Sequence, residues 1–363
     1  MLIPQACAKA DTASPRVRLG PWARDLQVGP GMNAAGRTLR DSEFVGQNLS
    51  GAVFDGANLY GARFYQCDLS DASFRGAHFT GAHVGACNIK GADFTDAVIN
   101  GVLSSRPPEP PGRGGWGIYG RDMFLSGEQF LSTHSYKTKD LSNCLISGTE
   151  DGRGVKRRYD FRGANLRQAF IRGGDWTESD FTKADIAEIT LLSCTITFAQ
   201  LASTRTFREE RRASGMDLSA QIQGKADFSR FLLAGSQLLS RWDDADLTDA
   251  DITRCVLGPT ITSDHLRSTR NYQEGNLAGI RFIRMDLSNF DFSRQNLSGC
   301  SFTYCDLTDA VFDDAVITQA RFSGNNTGLA IDQIKSTWNY KHGRMARVRL
   351  PQEIAEALRT DGH

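Results

Sequence analysis

An apolar residue falls on every fifth position from Leu39 to Ile99 without a slip: Leu39, Phe44, Leu49, Phe54, Leu59, Phe64, Leu69, Phe74, Phe79, Val84, Ile89, Phe94 and Ile99. Two positions before most of these centres stands a small residue, as at Ala52, Ala57, Cys67, Ala72, Cys87 and Ala97. A period of five matches neither a helix at 3.6 nor a strand at 2, so amphipathic readings fail. Fixed-period self-similarity is the mark of a solenoid.

The beat returns in three further runs. One has centres Phe161, Leu166, Ile171, Trp176, Phe181, Ile186, Leu191 and Ile196. Another has Phe228, Leu233 and Leu238, then, after a four-residue step, Trp242, Leu247, Ile252 and Leu257. The last extends from Leu277 through Phe282, Leu287, Phe292, Leu297, Phe302, Leu307, Phe312 and Ile317 to Phe322. Residues twenty apart carry matched chemistry: Phe54, Phe74 and Phe94 make one column and Phe282, Phe302 and Phe322 another. Such columns predict stacked aromatic ladders in a narrow core, with small neighbours letting the backbones approach.

The triplets A-N-L, A-R-F, C-D-L, A-S-F and A-D-F resemble the pentapeptide-repeat family. The resemblance implies an all-β fold, a right-handed quadrilateral β-helix with one pentapeptide per side and about twenty residues per coil. At ~4.8 Å between stacked strands, the pentapeptides here correspond to roughly nine coils and a rod on the order of 45 Å.

The breaks in the beat divide the chain. The expected parts are an N-terminal cap (1–36), a first repeat block (37–103), and a Pro/Gly-rich excursion ending in a box of new type (104–140). A second block (141–200), second box (201–217), third block (218–260) and third box (261–275) follow. A fourth block (276–326) precedes the fourth box and a C-terminal helix or cap (327–363). Within this scheme SGTEDGRGVKRRY (147–159) is a charged loop, and 341–349 is a basic stretch with two readings, a contact for phosphate or an acidic partner, or, favoured, a solvated tail.

The boxes share S-T-x-x-[YF]: Ser132, Thr133 and Tyr136; Ser203, Thr204 and Phe207; Ser268, Thr269 and Tyr272; Ser336, Thr337 and Tyr340. Asp264 and Asp332 suggest helix N-caps, so each box reads as a helical turn plus loop. Two readings stand side by side. The boxes are a recognition ridge on one face, or they are joints that reset the coil register, each aromatic packing on the wall.

Composition narrows function. Lys+Arg 42 balances Asp+Glu 42, which argues against a general nucleic-acid binder and against a strongly acidic decoy surface. There is no run of 18 apolar residues to span a membrane. MLIPQACAKA has no basic n-region, so a cytoplasmic location is expected; Cys7 is a poor match to a lipid-attachment box.

Cys67, Cys87, Cys194, Cys255, Cys300 and Cys305 stand two before a centre, as does Cys144 if Ile146 is one. They read as reduced, buried wall residues, although Cys67 and Cys87, one coil apart, could approach closely enough to bridge. No C-x-x-C, G-x-S-x-G, H-E-x-x-H or P-loop motif is present. His78 and His83 are a weak metal pair, and Asp243, Asp244, Asp246, Asp249 and Asp251 a weak calcium cluster. No enzyme activity, cofactor or metal is expected.

The expected function is a non-catalytic β-helical scaffold that binds a protein partner, with homodimerisation left open. Two alternatives stand beside it: a DNA-mimicking topoisomerase (gyrase) modulator, which the resemblance implies and for which the neutral charge is unsuited, and a secreted bacterial effector with an activity in an extra domain, for which no nonrepeat segment is long enough.

Overall fold

A computed structural model describes residues 15–101, 125–147, 158–323 and 327–360. Cys7, the core of the Pro/Gly-rich excursion, most of the 147–159 loop and the last three residues lie outside the described residues. The chain forms two compact units, 1–153 with 164–170, and 154–163 with 171–363. Each contains a parallel β-helix of pentapeptide repeats.

In the first unit, β1 (Arg16–Arg18), β2 (Glu43–Val45), β3 (Arg63–Tyr65) and β4 (His83–Gly85) form one sheet in that order. Phe44 pairs with Phe64 and Phe64 with Val84, twenty residues per coil and parallel. β1 instead lies antiparallel on β2, with Val17 opposite Phe44, and covers the open edge of the stack. Coil pairing begins at Gly31, whose N–H donates to the Ser50 carbonyl. It therefore starts inside the stretch read as the cap. Ala34, five before Leu39, is fully buried at a centre; its small side chain hides the beat there.

The centres pack as ladders. Phe54 stacks on Phe74 at 4.9 Å and 3°, and Phe74 on Phe94 at 5.0 Å and 14°. On the facing wall Phe44 stacks on Phe64 at 4.9 Å, and Phe64 meets Phe74 edge-on at 6.5 Å. Rings thus stack along the axis and meet edge to face across it, both favourable arrangements for the ring quadrupole. The unit continues with α1 (Gly127–Ser132), α2 (His134–Lys137) and β5 (Leu145–Ser147). The strand β6 (Phe170–Arg172) follows where the chain passes from one unit to the other.

The second unit holds β7 (Thr190–Leu192), β8 (Thr195–Thr197), α3 (Phe198–Ser203), α4 (Arg205–Arg208), β9 (Gln221–Gln223), β10 (Gln237–Leu238) and β11 (Val256–Leu257). Then come α5 (Ser263–Ser268), α6 (Arg270–Gln273), β12 (Arg281–Ile283), β13 (Ser301–Thr303) and β14 (Arg321–Ser323). It ends with α7 (Ile331–Lys335), α8 (Trp338–Lys341) and α9 (Gln352–Thr360). β10 to β14 form one parallel sheet in chain order. Phe282, Phe302 and Phe322 stack at 4.8 and 4.9 Å. The four-residue step before Trp242 shortens its coil by one: Asp227 pairs with Asp246, and Leu238 with Leu257.

A second five-residue beat emerges from the backbone. Two residues after each centre from Leu39 to Ile99, at 41, 46, 51 and onward to 101, φ is positive. Glycine occupies most of these corners, which is why it is abundant. At Gly91 glycine is favoured twice, because an added Cβ would also push the Asp71 carboxylate aside. Ala86 occupies the same corner at φ 54°, where an L-residue costs about 1–2 kcal/mol per position. After allowance for the looser unfolded chain, Ala86→Gly should stabilise the fold by about 0.5–1 kcal/mol, read as a higher urea midpoint.

Aspartates just before the centres secure the same turns. Asp68, Asp93, Asp180, Asp246, Asp291 and Asp306 have lowered pKa values, chiefly because the Ser or Thr hydroxyl two residues on donates to each carboxylate. Their stabilising contribution is complete above the unfolded value of about 3.9 and is lost as pH falls through the lower folded values. His83 is also held low, by burial first and then by Arg63; its contribution starts to disappear below about pH 6.5. The melting temperature should therefore decline slightly from pH 6.5 and steeply below about pH 4, measured by circular dichroism.

Candidate functional site

Each box is a helix of five or six residues followed by a single helical turn. Three first helices begin at a hydroxyl N-cap: Ser126, Thr197 and Thr262. The fourth begins at Ala330, which has no side-chain acceptor; there the Gln333 side chain accepts from the Ala330 N–H at 2.6 Å. Asp264 and Asp332 are not the caps. They occupy the first turn, where a carboxylate faces the positive end of the helix.

The paired Ser and Thr are occupied internally. Thr133, Thr204, Thr269 and Thr337 are fully buried between the two helices of each box. Each hydroxyl donates to the carbonyl three residues back (Phe130, Leu201, Leu266 and Ile334) at 2.6–2.7 Å. Each also accepts the N–H of Tyr136, Phe207, Tyr272 or Tyr340, so it caps the second helix. Ser132, Ser203, Ser268 and Ser336 donate to the carbonyls of Gln129, Gln200, His265 and Gln333.

The aromatics lie against the wall. The Tyr136 ring meets Phe130 edge-on at 5.2 Å. Phe207 is buried beside Phe198, Phe228 and Phe231. Tyr272 packs on Phe290 at 5.4 Å and donates its hydroxyl to the Asp291 carbonyl. Tyr340 is half-buried.

Four further residues, unmarked by the S-T-x-x-[YF] pattern, tie each box to the coil beneath it. Ser135, Thr206, Asn271 and Asn339 are buried, two positions after the Thr. Each accepts the N–H of an isoleucine centre: Ile99, Ile186, Ile252 and Ile317, at 2.7–3.0 Å. Five residues before each stands a buried apolar residue: Phe130, Leu201, Leu266 or Ile334. The beat thus continues through the box with a polar centre, and that small polar residue is the signal the sequence carries. Gln129, Gln200 and Gln333 add amide donations to two carbonyls of the coil below.

In the second unit the three boxes keep one position on the coil. Leu191, Leu218, Leu238, Leu257, Phe282, Phe302 and Phe322 belong to successive rungs of one side. The boxes cover the two sides just before it, over Phe181 and Ile186, Leu247 and Ile252, and Phe312 and Ile317. They recur every three rungs, about 14 Å at the usual strand spacing. Their outward residues differ: Arg208 in the first, Asp264 and Arg267 in the second, Asp332 and Lys341 in the third, all exposed, while Arg205 turns back onto the buried Asp185.

Among the described residues no group of three or more His, Cys, Asp or Glu is placed to hold a metal. Asp246 and Asp251 accept from Thr248 and Thr253, and Asp249 lies 3.9 Å from Arg230. The seven described cysteines are free thiols. Burial raises Cys194, Cys255 and Cys300 to about 12. The Cys67 thiol donates to the Phe44 carbonyl and the Cys87 thiol to that of Gly85; the influence of each thiol on the other lowers Cys67 and raises Cys87. No helix of the described residues is long and apolar enough to cross a membrane.

Two family models, both described as pentapeptide repeats, match the chain: one over 44–104, the other over 160–191, 276–314 and 296–326. No curated protein matches it by sequence. Among solved structures it is similar to HetL, a pentapeptide repeat protein involved in heterocyst differentiation regulation in the cyanobacterium Nostoc sp. strain PCC 7120. The two are 17% identical over 82% of this chain and 92% of that one, with a TM-score of 0.17. Full-length QnrB1, a plasmid-mediated fluoroquinolone resistance protein, is 17% identical over 65% and 91%, with a TM-score of 0.20.

Proposed function

The chain belongs to the pentapeptide-repeat family, and from that premise we propose that it is a non-catalytic β-helical scaffold that binds a protein partner through the outward residues of its boxes. The observation that carries this reading is the recurrence of three boxes on one pair of sides, every third rung of the second unit. Inward positions of the boxes repeat the same hydrogen bonds, whereas the exposed ones vary in charge from box to box. Recognition is served by such variable residues on a rigid support, because binding then costs little ordering entropy. The Ser and Thr hydroxyls themselves are support, not contact.

The test is co-purification followed by quantitative binding to the recovered partner. A variant carrying Arg208→Glu and Arg267→Glu should lose binding at least tenfold, while a control carrying Arg254→Glu and Arg294→Glu should keep it. Equal affinity of both variants would remove the boxes from the function.

A further inference from the structure

The basic stretch 341–349 does not stand free in solvent. Val348 donates its N–H to the Met345 carbonyl, as in the repeat turns. Arg349 then pairs in parallel with Arg321 of β14: its N–H donates to the Ala320 carbonyl and its carbonyl accepts from Phe322. The segment thereby adds one more rung to the wall, and Arg347 takes the left-handed corner above Gly279, Gly299 and Gln319.

The result is a concave groove of about 650 Å³ in which Arg281, Arg321, Arg347 and Arg349 converge with Ser301 and Gln319. Among the described residues no carboxylate lines it. All four arginines are exposed. Arg281 and Arg321 stand two rungs apart in one column, with Ser301 between them and Arg349 one rung beyond. Like charges directly opposite one another across strands destabilise a sheet, so this column lowers the stability of the free protein unless an anion neutralises it.

We infer that this groove is a binding site for an oligophosphate chain, the chemistry shared by inorganic polyphosphates and nucleoside triphosphates. Guanidinium forks recognise phosphate oxygens bidentately, and the four here offer many donors with no acceptor among them. Charge density selects phosphate over an acidic peptide. Carboxylates on one face of an extended chain are about 7 Å apart, so only two or three would reach the groove. A triphosphate delivers a comparable or larger charge, and more acceptor oxygens, within one small ligand. The volume lies in the range of small-ligand sites, and among the described residues no aromatic lines it for base stacking. The site does not involve the outward residues of the boxes, so it stands or falls separately from the scaffold reading.

The experiment is calorimetric titration of the full chain with sodium tripolyphosphate at low ionic strength. Saturable binding is expected, at least tenfold tighter than for orthophosphate, together with a rise in melting temperature on adding ligand. Arg281→Gln with Arg321→Gln and Arg349→Gln should weaken it at least tenfold, while Arg208→Gln should leave it unchanged. Metal-free ATP binding as tightly as tripolyphosphate would assign recognition to the phosphate chain alone, and tighter ATP binding would assign it to the nucleotide; both support the site. The inference is overturned if tripolyphosphate does not bind, if the triple variant, folded as judged by its melting curve, binds equally, or if only polyglutamate or oligo-dT binds.

Discussion

Phe74→Asp should abolish cooperative folding of the first unit. Phe74 is fully buried, stacked on Phe54 and Phe94 and edge-on to Phe64. Removing such a ring alone costs about 3–5 kcal/mol, and an aspartate there adds the cost of an unpaired buried polar group. That sum is comparable to the whole stability of a typical domain, about 5–15 kcal/mol. In a solenoid each coil contacts only its neighbours, so the damage should spread outward from the broken rung. Phe74→Leu, which keeps most of the apolar volume, should cost far less. Thermal melts of the two variants, followed by circular dichroism, decide the matter; unchanged melting in Phe74→Asp would be fatal to the ladder as the source of stability.

The second large effect is expected at a box. Thr269→Val is close to isosteric but removes the hydroxyl that donates to Leu266 and caps the Tyr272 N–H. The site is fully buried, so the amide left behind finds no water. A buried polar group stripped of its partner costs about 1–3 kcal/mol, and loss of a helix cap about 1 kcal/mol of comparable origin. We expect a loss of about 2–3 kcal/mol by urea unfolding. Thr269→Ser, which keeps the hydroxyl, should recover most of it. A box that were only a surface appendage would tolerate both changes within about 0.5 kcal/mol.

The four runs of centres were legible in the sequence because a β-helix repeats its environment every five residues, so the requirement for one buried side chain repeats too. Where the centre is small or polar, the same geometry leaves no apolar signal. Ala34 hid the first coil for the first reason, and Ser135, Thr206, Asn271 and Asn339 hid the continuation of the coil through the boxes for the second. The left-handed corners were partly visible as glycines, but Gln66, Arg284 and Tyr304 adopt the same backbone without the residue type that announces it. Asp264 and Asp332 pass for N-caps in sequence because an acidic residue in the first turn and one at the cap look alike there; only the backbone shows that Thr262 and Ala330 hold the cap positions.

By itself, the sequence determined the repeat, the twenty-residue coil and the identity of the stacked columns, all of which follow from local periodicity. Tertiary structure alone decided what distant segments do to one another. It turned the S-T boxes into internally bonded joints with variable outer faces. It also carried the basic tail, which reads in sequence as a solvated stretch, onto the last rung beside Arg281 and Arg321. Periodicity constrains which residues point inward; it says nothing of which surface residues become neighbours once coils are stacked, because that depends on where each run breaks and how the next one resumes.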